Sequence, residues 1–249
     1  MPTQEHLKEI AENLDNLKIG LDDTFEFGCR RCGMCCKNRE DIILSSKDVF
    51  NIAKALNMTT KEVLERYCDL YIGPNSRFPM VRLNPKPDGS CPLLNKNNCI
   101  VHRAKPAICA LFPLGRYALF NPDEQDKSEE HPFEVGYMLT PTQCGNINRI
   151  KVKNWLNKFN IPDPDEFFAT WHEYSMKFGG RIRELEKHEE VTEKTYDMIF
   201  NVGFHVLYAE YDTSKELFPQ FKERIEQLDG LIEVIDKIVE EFIKAKKAV

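Results

Sequence analysis

Leu7, Ile10, Leu14 and Leu17 recur at three- and four-residue spacing, which predicts an amphipathic helix over residues 3–18. "SSKDVFNIAKALN" predicts a helix capped by Ser45 or Ser46. "TTKEVLERYC" predicts another, with Thr59 and Glu62 in capping-box register and Cys68 at its end as a buried structural thiol. "FPMVRL" reads as a short strand and "PKPDGSCP" as a turn, because Pro, Asp and Gly punctuate it. "RYALFN" and "FEVGYMLT" read as two strands joined by the charged loop "PDEQDKSEEHP".

From about residue 146 the pattern turns helical. "INRIKVKNWLNKFN" predicts one helix. "DPDEFFATWHEYSMKFGGRIRELEKH" predicts one or two, interrupted near Gly179–Gly180. "TEKTYDMIFNVGFHVLYAE" predicts another. The last, from Ser214 to about Lys247, carries Leu217, Phe221, Ile225, Leu228, Ile232, Ile235, Ile238, Val239 and Phe242 on one face. Pro219 falls in its first turns, where proline is tolerated. The expected class is mostly α with minor β: an irregular cysteine-rich metal-binding region with a small hairpin, packed on a helical C-terminal part. The expected division is residues 1–146, cysteine-rich with N-terminal helices, and 147–249, helical.

Composition narrows the function. The chain has 249 residues and a formal net charge of −6, which argues against general nucleic-acid or anionic-membrane binding. It contains no apolar run of transmembrane length, and its polar, acidic start does not read as a secretion signal. The expected compartment is the cytoplasm, where thiols stay reduced.

All nine cysteines precede residue 145. Cys29, Cys32, Cys35 and Cys36 form C-x2-C-x2-C-C; Cys91, Cys99 and Cys109 form C-P-x6-C-x9-C; Cys144 stands in "TPTQCG". Without Cys68, eight thiols remain, enough for two four-thiolate sites. Spacings of two let one loop aim several sulfurs at one ion, and Gly28 and Gly33 permit the backbone torsions that such a loop needs. Thiolates ligate zinc and iron–sulfur clusters alike. Adjacent side chains normally diverge, so Cys35 and Cys36 are expected to serve two neighbouring sites or a cluster of several metal atoms. The triplet Cys29, Cys32, Cys35 with a remote Cys91–Pro92 matches the ferredoxin pattern, which tilts the choice toward a 4Fe–4S cluster over Zn2+. A disulfide framework conflicts with the expected compartment, and a lone activated thiol leaves the other cysteines unexplained.

His102 is a lesser ligand candidate, and His6, His131, His172, His188 and His205 read as structural or solvated. Arg30, Arg31 and Lys37 flank the first run as cations that could offset thiolate charge. Motifs for nucleotide, serine-hydrolase or metalloprotease chemistry are absent.

"CRRCGMCC" followed by "CPLLNKNNCIVHRAKPAICALFP" resembles the CxxCxxCC family, also called the YkgJ-type cysteine cluster proteins, over about Cys29 to Cys144. The resemblance implies a zinc- or iron-chelating domain with Cys29, Cys32, Cys35, Cys36, Cys91, Cys99 and Cys109 as ligands, and Cys144 as the later cysteine-glycine. Lys105 and Ala110 stand where the family often has arginine, which removes a guanidinium from beside the centre. One branch resembles flagellin lysine N-methylases. Three functions follow as expectations. The first is an iron–sulfur or zinc protein that transfers electrons or serves an oxidoreductase, with a redox partner. The second is a structural zinc module that docks a protein partner. The third is a protein lysine N-methyltransferase. None involves nucleic acid or membrane.

Overall fold

The computed structural model describes residues 13–29, 32–37, 39, 42–120, 133–140, 144 and 148–247. In chain order the elements are β1 (Lys18–Ile19), β2 (Thr24–Glu26), β3 (Ile43–Leu44), α1 (Ser46–Leu56), α2 (Thr60–Tyr67), β4 (Cys68–Ile72), β5 (Pro79–Leu83), β6 (Leu94–Asn95), β7 (Asn98–Cys99), α3 (Ala107–Leu111), β8 (Leu114–Phe120), β9 (Phe133–Leu139), β10 (Arg149–Lys151), α4 (Val152–Lys158), α5 (Glu166–Leu185), α6 (Glu193–Tyr208) and α7 (Leu217–Lys247). Two 3-10 turns, Met34–Cys36 and His102–Ala104, lie in the cysteine-bearing stretches. Helix outweighs strand, so the fold is mostly α with small sheets.

The caps form as their residues dictate. The Ser45 hydroxyl accepts from Asp48 N at 3.3 Å while Asp48 accepts from Ser45 N at 2.8 Å. Thr59 and Glu62 make the same reciprocal pair at the start of α2. The hairpin of residues 116–121 and 133–140 is present as β8 and β9, antiparallel with Tyr117 opposite Gly136. Gly136 leaves room for the Tyr117 ring across the pair, since a Cβ there would meet the Tyr117 hydroxyl.

Three expectations need correction. The predicted helix over 147–160 begins as strand: β10 pairs antiparallel with β2, Ile150 opposite Phe25, before α4 starts at Val152. Edge pairing with an extended neighbour overrides the helical reading of these three residues. The predicted break at Gly179–Gly180 is absent, and α5 runs through both glycines. Gly179 instead serves a close approach, since a Cβ there would lie 1.8 Å from the Ser76 carbonyl oxygen. Cys68 is only half-buried, and it opens β4 as well as capping α2. Residues 13–17 are helical before β1. The earlier part of the predicted N-terminal helix, the loop 122–132, His6, His131, Arg30 and Arg31 lie outside the described residues.

The chain divides into two compact units, Met1–Ile43 with Arg82–Thr170 and Leu44–Val81 with Trp171–Val249. Each draws on both sides of residue 146. In the first unit the sheet order is β1–β9–β8, beside the two-stranded pairs β10–β2 and β6–β7. Its core gathers Phe25, Phe27, Leu111, Leu114, Tyr137, Val152, Trp155 and Leu156. Trp155 meets Phe25, Phe27 and Phe159 edge-to-face, with centroids 5.9, 5.4 and 5.2 Å away. Beside this core Arg116 and Asp165 form a buried ion pair at 2.8 Å, each side chain 6% exposed, with the guanidinium over the Phe168 ring.

The second unit is held by long helices. Phe178, Ile182 and Leu185 of α5, Ile199 and Leu207 of α6, and Phe221, Leu228 and Ile235 of α7 are buried. Trp171 packs edge-on to Phe78 and Tyr208, and the buried Tyr208 hydroxyl donates to the Pro79 carbonyl at 3.2 Å. The strand β4 and most of β5 belong to this unit, in a sheet of order β3–β5–β4.

Candidate metal centre

The first cysteine run leaves β2 through a fixed exit. Phe27 N donates to Asn148 O at 2.9 Å, extending the β2–β10 pairing up to Gly28. Gly33 then takes a left-handed conformation, φ 73°, which turns the chain into the 3-10 turn carrying Cys35 and Cys36. Cys36 N donates to Gly33 O at 3.0 Å. A Cβ on Gly33 would sit 3.5 Å from Asn97 Oδ1 and 3.8 Å from Leu94 Cδ2, so this turn lies against the β6–β7 hairpin.

The second run is tied to the first through backbone. Asp88 accepts from Ser90 N at 3.0 Å and from the Ser90 hydroxyl at 2.6 Å, and these bonds hold its carboxyl below its ordinary range. The chain thus reverses and brings Ser90 opposite Lys37. Cys91 N then donates to Cys36 O at 2.8 Å. The β6–β7 hairpin sets Cys99 opposite Leu94. Cys109 lies on the short α3, anchored at its end where the Trp155 indole donates to Leu111 O at 3.0 Å. That bond satisfies one orphan carbonyl of the helix terminus and joins the cysteine to the aromatic core.

Five thiols thereby share one neighbourhood. The Cys35 and Cys36 sulfurs lie 3.9 Å apart. Cys36 feels the charges of Cys109, Cys91 and Cys99, and Cys99 feels that of Cys35. The Cys35 and Cys36 thiols share one hydrogen bond, and that contact pushes the Cys35 thiol far up and pulls the Cys36 thiol down. Burial pushes Cys91 and Cys99 up. Among the described residues no three Cys, His, Asp or Glu side chains already stand at the mutual distance of one metal ion. The arrangement gathers sulfurs on tethered loops without closing them on a point.

The other expected ligands stand differently. Cys29 and Cys32 are exposed. Cys144 packs half-buried against the aromatic core of the first unit. Cys68 belongs to the second unit, and burial with the Asp69 carboxylate pushes its thiol up to about 12. All nine cysteines are free of disulfides. His102 is exposed on its 3-10 turn.

Among the described residues, two lysines beyond the first cysteine run act on the sulfurs. Lys105 lowers the thiols of Cys35 and Cys99, and Lys86 acts on Cys91 while donating to Leu94 O at 2.6 Å. Lys37 is exposed. Lys86 was legible only as part of a Pro-Asp-Gly turn; the fold-back of that turn is what aims it at the centre.

Residues 28–133 match the model of the CxxCxxCC family, described as "Putative zinc- or iron-chelating domain". No curated protein and no solved structure matches the chain. Among the described residues no helix is long and apolar enough to cross a membrane.

Proposed function

With residues 28–133 taken as a CxxCxxCC domain, we propose that the protein holds zinc or an iron–sulfur cluster through its cysteines. Cys36, Cys91, Cys99 and Cys109 form the principal set, with Cys35 beside them. Cys29, Cys32 and Cys144 supply the further thiolates of a second site or of a larger cluster. The observation that carries this reading is the gathering of Cys35, Cys91, Cys99 and Cys109, from both cysteine runs, about Cys36, held by backbone bonds such as Cys91 N to Cys36 O.

The donor set fits the metals by its chemistry. It is all sulfur, which zinc and iron–sulfur clusters both accept. Gathering several thiols is costly if they ionise unpaired, and a bound metal removes that repulsion and deprotonates its ligands. Lys86 and Lys105 favour the ionised forms. A bound cluster would supply one-electron chemistry. Bound zinc would supply a folding clamp. The irregular loops here, with strands of two residues, are what a clamp organises.

An anaerobic visible spectrum separates the two metals. The iron–sulfur form, with its electron-transfer role, is expected to show charge-transfer bands that bleach with dithionite, with sulfide matching iron. Colourless protein holding stoichiometric zinc would leave the structural module and remove the redox role.

A further inference from the structure

The charge of this chain is unevenly placed. Residues 29–39 and 82–112 hold nine Lys/Arg against one Asp, a net charge of +8. The remaining residues hold 25 Lys/Arg against 39 Asp/Glu, a net charge of −14, which together restore the chain's −6. The cysteine-bearing stretches are thus a basic island in an acidic protein.

Part of that charge faces the sulfurs: Lys86 and Lys105 act on Cys91, Cys35 and Cys99. Another part does not. Lys37, Lys96 and Arg103 are exposed, and no carboxylate among the described residues pairs with them. Interleaved with them are apolar side chains left in water, Met34 at 68% exposure, Ile100 at 46% and Ile108 at 40%. These residues sit on the loops that converge on Cys36. The Met34 turn lies against the hairpin whose tip is Lys96, and Ile100, Arg103 and Ile108 flank Cys99 and Cys109 in sequence.

From this pattern we infer that the rim of the cysteine centre is a docking surface for an acidic protein surface that also presents apolar side chains. Exposed rim cations steer an acidic partner and set its register, while exposed apolar residues supply the water-excluding contact. A purely phosphate-binding surface has no need of Met34, Ile100 and Ile108, because backbone phosphate contact is electrostatic. The inference goes beyond metal holding: it assigns the kind of partner that meets the centre, and it rests on that reading only for why docking there would matter.

The test uses the full chain and a labelled synthetic peptide alternating Glu with Leu and Phe, followed by fluorescence anisotropy. A polyglutamate peptide and a thymidine oligonucleotide of equal charge serve as comparisons. The mixed peptide is expected to bind most tightly and to weaken as salt screens the charges. The triple variant Lys37→Glu, Lys96→Glu, Arg103→Glu is expected to lose about tenfold or more in affinity. Met34→Ser with Ile100→Ser is expected to lose severalfold for the mixed peptide and little for polyglutamate.

Metal content is measured on every variant. If charge reversal lowers it, Lys37→Gln, Lys96→Gln, Arg103→Gln decides by the same criterion. Absence of binding, binding without salt dependence, or unchanged affinity in the folded triple variant overturns the inference. Tighter binding of the oligonucleotide overturns it in favour of nucleic acid. Self-association abolished by the triple variant overturns it in favour of a second copy. Peptide binding by a chain that takes up no metal would overturn the metal reading and leave this surface standing.

Discussion

The two units of this protein are stabilised by different means. The second has helices of 11, 16 and 31 residues whose buried faces include Val49, Ile199, Leu207, Phe221 and Leu228. Burial of such faces, at roughly 25 cal/mol per Å2, suffices to hold long helices together. The first unit has an aromatic core around Trp155, but its cysteine stretches hold two-residue strands, 3-10 turns and one five-residue helix. Elements that short bury little and depend on side-chain chemistry for their order. Where periodicity ends, the cysteines begin.

The comparison can be broken unit by unit, because the chain has two tryptophans and each unit holds one: Trp155 in the first and Trp171 in the second. The largest expected effect is from a strong chelator under reducing conditions. In Trp171→Phe protein the Trp155 emission is expected to shift as α3 loses its order, since structural metal binding is folding energy. In Trp155→Phe protein the Trp171 emission is expected to stay. Equal shifts in both would show that the two units do not differ in this way.

Asp165→Ala comes next. It strands the Arg116 guanidinium, itself 6% exposed, without its carboxylate. The expected loss is about 3–5 kcal/mol, read from denaturant midpoints through Trp155. A loss below about 1 kcal/mol would mean that water or another carboxylate replaces the pair.

Within the second unit Gly179 and Gly180 make a smaller and sharper contrast. Gly179→Ala drives a methyl into the Ser76 carbonyl and is expected to destabilise by about 1–3 kcal/mol. Gly180→Ala meets nothing within 4 Å and is expected to stabilise by up to about 1 kcal/mol. Urea melts followed by Trp171 should move in opposite directions, and movement in the same direction would contradict the packing described.

The smallest effect concerns Cys68. Its folded thiol is pushed up to about 12, against about 8.5 for a free thiol. The folded value is raised, so its contribution to stability is whole below the ordinary thiol range and fades as pH rises toward about 12. Wild type should lose slightly more stability between neutral and alkaline pH than Cys68→Ala. Rapid alkylation of Cys68 at mildly alkaline pH, as fast as the exposed Cys29, would contradict the raised thiol of this half-buried residue.

Much of the second unit was legible beforehand. The capping boxes at Ser45 and Thr59 and the apolar face from Leu217 to Phe242 are local signals, written within a few residues of where they act. The misread places depended on distant neighbours. Residues 149–151 are strand because Phe25 and Glu26 lie alongside, and Gly179 does not break α5 because Ser76 needs its space. The candidate metal centre was legible only as a set of residue types and spacings. Its internal order was not, since Cys36 becomes the meeting point through bonds to Gly33 and Cys91, and Lys86 and Lys105 reach the sulfurs through a folded turn and a short helix approach.

The most direct measurement of the central claim is metal content, with acid-labile sulfide, of protein purified without oxygen, set beside Cys36→Ala and Cys91→Ala. Stoichiometric zinc or iron in the wild type, largely lost from both variants while Trp171 still reports a folded second unit, is the predicted result. A wild type that carries none, takes up neither zinc nor iron with sulfide on anaerobic titration, and leaves all nine thiols freely titratable would contradict it.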